Sequence, residues 1–253
     1  NLKLRAGYGT TGNEAIGDFQ SQGLYQTAAY NGQPGFSPSQ IANPRLTWEK
    51  AQQFNIGLDF SLFNSRFTAT VERYNRRTTD LLFNVPVSRL TGFNSVLTNA
   101  ASIENRGWEV TVGTVNVNSQ DFRWTSSFNI ALNKNEVLEI GGGQTEVIDG
   151  TKKRTIGHDW SEYYLAEYAG VNPANGVPLW YDENGNVVDE YAAALRVMTG
   201  KSATPSFFGG FSNNISFRGF DLSVLFSYSY GAYIYDNFAF VYERNGGFMG
   251  GNQ

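Results

Sequence analysis

Apolar and polar residues alternate along much of this chain with a period of two. From Phe54 to Leu62, the residues Phe54, Ile56, Leu58, Phe60 and Leu62 interleave with Asn55, Gly57, Asp59 and Ser61. A helical face beginning at Phe54 would find only Phe54 and Leu58 apolar among positions i, i+3, i+4 and i+7, whereas a strand puts the two sets on opposite sides. The same two-faced pattern runs from Phe122 to Leu132 and from Phe220 to Tyr230, and in shorter or weaker form over Leu2–Tyr8, Phe67–Val71, Trp108–Val112 and Gly209–Phe217. Asn213 interrupts the apolar set of the last, and parity is lost after Thr114, which predicts a bulge or a strand end there.

Seven strands result, and their junctions fall into two kinds. Phe63–Arg66, Asn118–Asp121 and Arg218–Phe220 are tight and rich in turn residues, while the junctions at about 10–48, 75–106 and 133–205 are long. Short and long alternate strictly. A sandwich has no reason to gather its short turns on one edge, but an outer-membrane barrel has one: tight periplasmic turns, long extracellular loops, and strands of about 10 residues that face lipid and lumen in alternation. The predicted fold class is therefore all-β, an antiparallel transmembrane β-barrel segment. Its polar parity would line a wet lumen with Lys3, Arg5, Asp59, Glu72, Glu109, Arg123 and Asp221. In lipid, a basic member of that set would cost about 2–4 kcal/mol near the midplane.

Aromatic residues sharpen the picture. Phe60 and Phe63 flank the first tight turn, Phe122 and Trp124 follow the second, and Phe217 and Phe220 bracket the third, while Tyr228, Tyr230, Tyr233 and Tyr235 sit at the other end of the last hairpin. Two aromatic levels around an aliphatic band are expected of interfacial girdles. The competing reading is a β-sandwich with ordinary aromatic core filling.

The third long connection, taken as an extracellular loop over 135–204, is predicted to carry its own hairpin, because unstructured connections seldom exceed about 15 residues. Asn184-Gly185 between Leu179–Tyr181 and Val187-Val188 is read as a type I′ turn, in preference to a calcium loop, which lacks the distal Glu. Trp160, Tyr163, Tyr164, Trp180 and Tyr181 are the candidate substrate-binding residues, since aromatic faces stack on sugar rings; packing the loop's own small core is the other use for them. Arg73, Arg76 and Arg77 read as a solvated rim or as contacts to anionic head groups.

Composition removes other classes. The 253 residues include no Cys and one His, with a formal net charge of -4. Thiolate zinc sites and cysteine nucleophiles are excluded, nucleic acid is not an expected partner, and no metal or cofactor is expected. His158 has no marked catalytic partners, and the carboxylate pairs Asp159/Glu162 and Asp189/Glu190 are what any acidic loop offers. The longest apolar runs, Tyr191–Leu195 and Phe238–Tyr242, are far short of the roughly 18 residues of a membrane helix. No export signal is visible; Leu2–Tyr8 reads as a strand in progress and 246–253 as a glycine-rich loop, so both ends are expected to be cuts through a longer chain.

An ordered set of motifs resembles the C-terminal half of the barrel of SusC/RagA-type TonB-dependent outer-membrane transporters. The matching stretches are Leu2–Asn13, Leu46–Lys50 leading into Phe54–Phe60, Arg66–Leu82, Asn99–Val112 with its Asn105-Arg-Gly-Trp-Glu109, Phe122–Val137, Gly170–Gly185 and Thr204–Leu222. The resemblance implies a closed, roughly 22-stranded barrel, of which this chain supplies about seven strands. It further implies an N-terminal plug, contact with TonB through a part not matched here, outer-membrane lipid around the wall, and a SusD-like lipoprotein as lid. Such proteins import oligosaccharides or peptides in Bacteroidetes-type bacteria without chemical conversion. The matched stretch includes no plug and is not expected to transport alone. The alternative from another class is a secreted β-rich glycan-binding module or glycosidase.

Overall fold

The computed structural model of the protein describes residues 1–14 and 16–238. The glycine-rich stretch at 246–253 and most of the apolar run Phe238–Tyr242 lie outside the described residues. Seven long strands form one antiparallel sheet: β1 (Leu2–Asn13), β2 (Glu49–Leu62), β3 (Phe67–Pro86), β4 (Ser95–Asn118), β5 (Phe122–Ile140), β6 (Phe207–Phe217) and β7 (Phe220–Tyr230). They are hydrogen-bonded in chain order, so the sheet is a plain meander, open between β1 and β7.

Register decides the character of its two faces. Leu4, Leu58, Val71, Val110, Ile130, Gly209 and Tyr228 stand in one continuous row of paired positions across all seven strands. One residue along each strand, the neighbouring row is Lys3, Asp59, Thr70, Thr111, Asn129, Gly210 and Ser227. A slip of one residue in any pair would mix the two sets, so the hydrophobic pattern and the pairing specify the same arrangement. Among the described residues no second layer covers the apolar face: Leu2 is 73% exposed and Phe220 78%. The exposed area is 17583 Å², against about 11,000 Å² for a globular monomer of this mass. A self-contained β-sandwich or secreted module would bury that face, and the described residues do not.

The tight turns form where expected. Arg218 and Gly219 both have positive φ, 46° and 88°, the two-residue hairpin geometry whose twist matches the strands. Phe63, Asn64 and Ser65 all lie in the left-handed region between β2 and β3. The lost parity after Thr114 is a bulge: pairing skips Asn116, and Thr114 and Asn116 join Ser126, Asn213 and Trp124 in a hydrogen-bonded chain. Asn213, the interruption in the alternation, is the acceptor that both Ser126 Oγ and Trp124 Nε1 share.

Two expectations change. The connection from 75 to 106 is mostly not a loop, because β3 and β4 continue as a long hairpin and only 87–94 connects them, around a short 3₁₀ turn at Arg89–Thr91. Beyond Arg73 both faces are polar, so alternation fades while the backbone ladder continues. The first long connection holds a further hairpin, Leu24–Tyr30 with Gln33–Gln40, closed by Asn31 and Gly32 at φ 50° and 74°. The third, 141–206, holds a four-stranded sheet and a three-stranded sheet, and the first of these packs on the ends of β3–β5 remote from the tight turns. Val137, Ile140 and Val147 form a small core there with Phe83, Ile103 and Trp160.

Candidate functional site

On the polar face, the first three strands carry one connected ion network. Arg5 grips Asp59 with two bonds, Nε to Oδ2 at 2.7 Å and Nη2 to Oδ1 at 3.0 Å, and reaches Glu72 through Nη1 at 3.1 Å. Thr70 donates to Asp59 and Asn55 to Glu72, which satisfies the remaining acceptors. The bidentate fork suits Arg and would be lost with Lys. Glycine at position 57 makes this reach possible, since a Cβ there would come within 2.9 Å of Arg5 Nη2.

The register places all seven expected polar residues, Lys3, Arg5, Asp59, Glu72, Glu109, Arg123 and Asp221, on this same face. Above the Arg5 network the face opens into a concavity of about 640 Å³, lined among others by Gln53, Tyr74, Arg76, Asn105, Glu109 and Asn133. Tyr74 lies over Gly107 and donates to Asn133 Oδ1 at 2.8 Å. Three carboxylates, Glu49, Glu72 and Glu109, one guanidinium, Arg76, and several amides line the wall, so it offers polar contacts with an acidic balance that Arg5 on Glu72 offsets in part. Tyr74, Asn105 and Asn133 were not among the expected lumen residues and Arg76 was expected on a rim, although the parity that selected Glu72 and Glu109 would have placed all four here.

The loop aromatics are not gathered into one platform. Trp160 packs edge-on against Phe83 at 5.5 Å and under the Arg154 guanidinium at 4.8 Å. Burial lowers the Arg154 pKa, with Asp149 and Asp159 pulling the other way. Tyr163 is buried, and its hydroxyl donates to the Tyr233 carbonyl and accepts from the Tyr235 amide. Tyr233 and Tyr235, expected in the outer girdle, thus follow β7 and anchor the loop; only Tyr228 and Tyr230 remain on the apolar face. Tyr164 is half-buried between Lys153 and Arg196, 5.0 and 4.7 Å from its ring. Trp180 meets Tyr168 and Tyr191 edge-on at 5.5 and 5.0 Å, with Tyr181 beside it on the same short strand.

Of the two carboxylate pairs that a glycosidase reading would use, Asp159 and Glu162 are occupied in holding the loop. Asp159 accepts from Ser202 Oγ and Thr204 Oγ1, and Glu162 from the Gly200 amide and His158 Nδ1. The 182–186 turn is not type I′: Asn184 lacks positive φ, and only Gly185, at 78°, is left-handed. The Gly185 amide bonds the Asp182 carbonyl at 3.1 Å, and the Asp182 carboxylate accepts from the Asn184 and Asn186 amides, so the side chain organises a longer loop. The Arg trio splits by parity: Arg76 lines the polar concavity, while Arg73 and Arg77 stand on the opposite face.

Comparison with known proteins agrees with this geometry. The family model described as TonB dependent receptor-like, beta-barrel, matches residues 1–232. TonB-dependent receptor P39 of Formosa agariphila is 35% identical over 96% of this chain and 28% of its own length. TonB-dependent receptor SusC of Bacteroides thetaiotaomicron is 31% identical over 94% of this chain and 26% of its own. Among solved structures, the RagAB peptide transporter superposes with a TM-score of 0.82 at 33% identity, over 96% of this chain and 28% of that one. The chain thus spans about a quarter of the length of the relatives it matches. With its seven-stranded wall, its one-sided apolar face and these matches, the chain belongs to the TonB dependent receptor-like β-barrel family of the outer membrane.

Proposed function

We propose that this chain is a wall segment of a TonB-driven outer-membrane importer that carries oligosaccharides or peptides without chemical change. One observation carries the proposal: the paired rows across seven strands are apolar on one face and polar on the other, with tight turns at one end and structured connections at the opposite end. The apolar face meets lipid, and the polar face lines the conduit. The free sides of β1 and β7 need partner strands, because lipid cannot satisfy unpaired backbone groups. The connection at 141–206 belongs to the outer vestibule, where a SusD-like lipoprotein would dock; TonB would act through another part of the protein.

Within that vestibule, half-buried Tyr164, Trp180 and Tyr181 are better placed for substrate contact than Trp160 and Tyr163, which are committed to packing. The solved relative RagAB is a peptide transporter, while aromatic faces such as those of Trp180 and Tyr181 suit sugar rings, so the substrate class is tested and not assumed. Cells carrying the intact or disrupted full-length gene should be compared on defined oligosaccharides and peptides, with and without TonB. The proposal expects loss of growth on one substrate class in both the disrupted and TonB-depleted cells. Uptake unchanged by both would overturn it.

A further inference from the structure

The apolar face stops abruptly on three adjacent strands, at one level on β4 and β5 and one outward row earlier on β3. Along β3 the outward residues Phe67, Ala69 and Val71 give way to Arg73, Asn75 and Arg77. Along β4 the change comes between Trp108 and Arg106, and along β5 between Leu132 and Lys134. Arg73 pairs with Trp108 in register and lays its guanidinium over the indole, 5.4 Å from the centroid. Directly beside them Arg106 pairs with Lys134, two like charges abreast.

Those two cations share a single carboxylate oxygen, Glu136 Oε2, at 3.2 Å from each, and Arg106 also takes Glu104 at 3.0 Å. Four cations, Arg73, Arg77, Arg106 and Lys134, therefore face two anions, Glu104 and Glu136, and the patch keeps a surplus of two positive charges. The neighbouring Lys50–Asp80 pair, 2.9 Å apart, is neutral by itself. Arg73, Arg77 and Lys134 are exposed, and below them Trp108 and Leu132, 47% and 42% exposed, open onto the apolar face. A cationic shelf on the rim of an apolar wall fits a molecule with an anionic head and hydrocarbon tails. Arg's planar fork and the adjoining ammonium match phosphate oxygens.

We infer that the outward shelf formed by Arg73, Arg106 and Lys134 around Trp108 is a binding site for the phosphate of an outer-leaflet glycolipid whose acyl chains lie along β3–β5. The inference rests on the barrel reading above, since it places this face in lipid. Arg73 and Lys134 flank the position of the phosphate, Glu136 holds the Arg106 and Lys134 side chains side by side, and Trp108 supports both the Arg73 guanidinium and the first part of the lipid.

The test uses purified full-length protein in mixed micelles containing monophosphorylated lipid A, with dephosphorylated lipid A and inorganic phosphate as parallel probes, and mass spectrometry of the retained lipid. The wild type is expected to retain the phosphorylated lipid at least about tenfold better than the dephosphorylated one, and Arg73→Gln with Lys134→Gln to abolish that preference. Both side chains are exposed, and unchanged heat-modifiable mobility on gels confirms that the variant is folded. Equal retention of the two lipids by the wild type, or a preference that survives the double substitution, would overturn the site. Displacement of the lipid by millimolar inorganic phosphate would assign the shelf to free anions and overturn the lipid. Wild-type protein that stays dispersed without detergent and retains neither lipid would contradict the barrel reading itself.

Discussion

Arg5 crosses the second strand over Gly57, whose missing side chain leaves room for the guanidinium to bridge Asp59 and Glu72 on its two sides. Valine at position 57 would drive the guanidinium away and separate it from Glu72. The network is partly solvated, so its loss is expected to lower stability by a small but measurable amount. A lower urea midpoint for Gly57→Val in the full-length barrel checks this, and a second loss of similar size on adding Arg5→Met would show that the two positions act independently.

Tyr74 and Gly107 form a second such pair, and the two halves of the contact separate experimentally. Tyr74→Phe keeps the ring over the glycine and removes only the bond to Asn133, an expected loss of about 1 kcal/mol. Gly107→Ala puts a Cβ against the Leu132 carbonyl oxygen and the Tyr74 ring together, and since backbone cannot yield as a side chain can, about 2–3 kcal/mol is expected. Equal effects of the two substitutions would show that the close approach is not what matters.

On the apolar face, Asn213 gathers Ser126 and Trp124. Asn213→Ala strands two donors in an apolar setting and is expected to cost about 1–3 kcal/mol, read as an accelerated heat-induced mobility shift. Asn213→Ala together with Trp124→Phe, which removes one of the stranded donors, should recover part of the loss.

The turn at 182–186 gives a pH dependence with a definite sign. Hydrogen bonds from the Asn186 side chain and amide, with smaller help from Asn184, hold the Asp182 carboxyl below its ordinary value. A depressed folded-state pKa means that the stabilisation is fully present above the unfolded value of about 3.9 and is lost as pH falls through the lower folded value. Amide exchange at Asn184 and Asn186 should therefore be level from pH 7 to about 5, after correction for intrinsic rates, and rise below about 4. Asp182→Ala should raise it at neutral pH and remove the acid dependence.

Much of this was legible in the residues. Where one face meets lipid and the other water, alternation is strong, and it locates Phe54–Leu62, Phe122–Leu132, Phe220–Tyr230 and all three tight turns. Where both faces meet water the signal vanishes although the strands continue, which is why β3 and β4 past Arg73 and Trp108 read as loop. The Asn31-Gly32 hairpin carried its own turn signal, but its flanks lack alternation. At 182–186 the Asn-Gly pair was overridden by Asp182, whose carboxylate offers the backbone a wider turn. The Arg5 network was legible as composition of a face, whereas the role of Gly57 depends on register between three strands, which no local pattern contains.

The central claim is that the two parities of this sheet face different solvents, and because these 253 residues contain no cysteine, a cysteine-free full-length background needs no change within this wall. Single cysteines are introduced at Leu58, Asp59, Ile130 and Asn129 in the full-length protein within native outer membranes. Each is scored for labelling by a membrane-impermeant maleimide and, after coupling to a small fluorophore, for quenching by a lipid-confined quencher. The expected result is a strict alternation: Asp59 and Asn129 labelled from water and unquenched, Leu58 and Ile130 protected from the aqueous reagent and quenched once coupled in denaturant and refolded. Equal aqueous labelling at all four positions, or quenching that does not follow parity, would contradict the membrane-wall account.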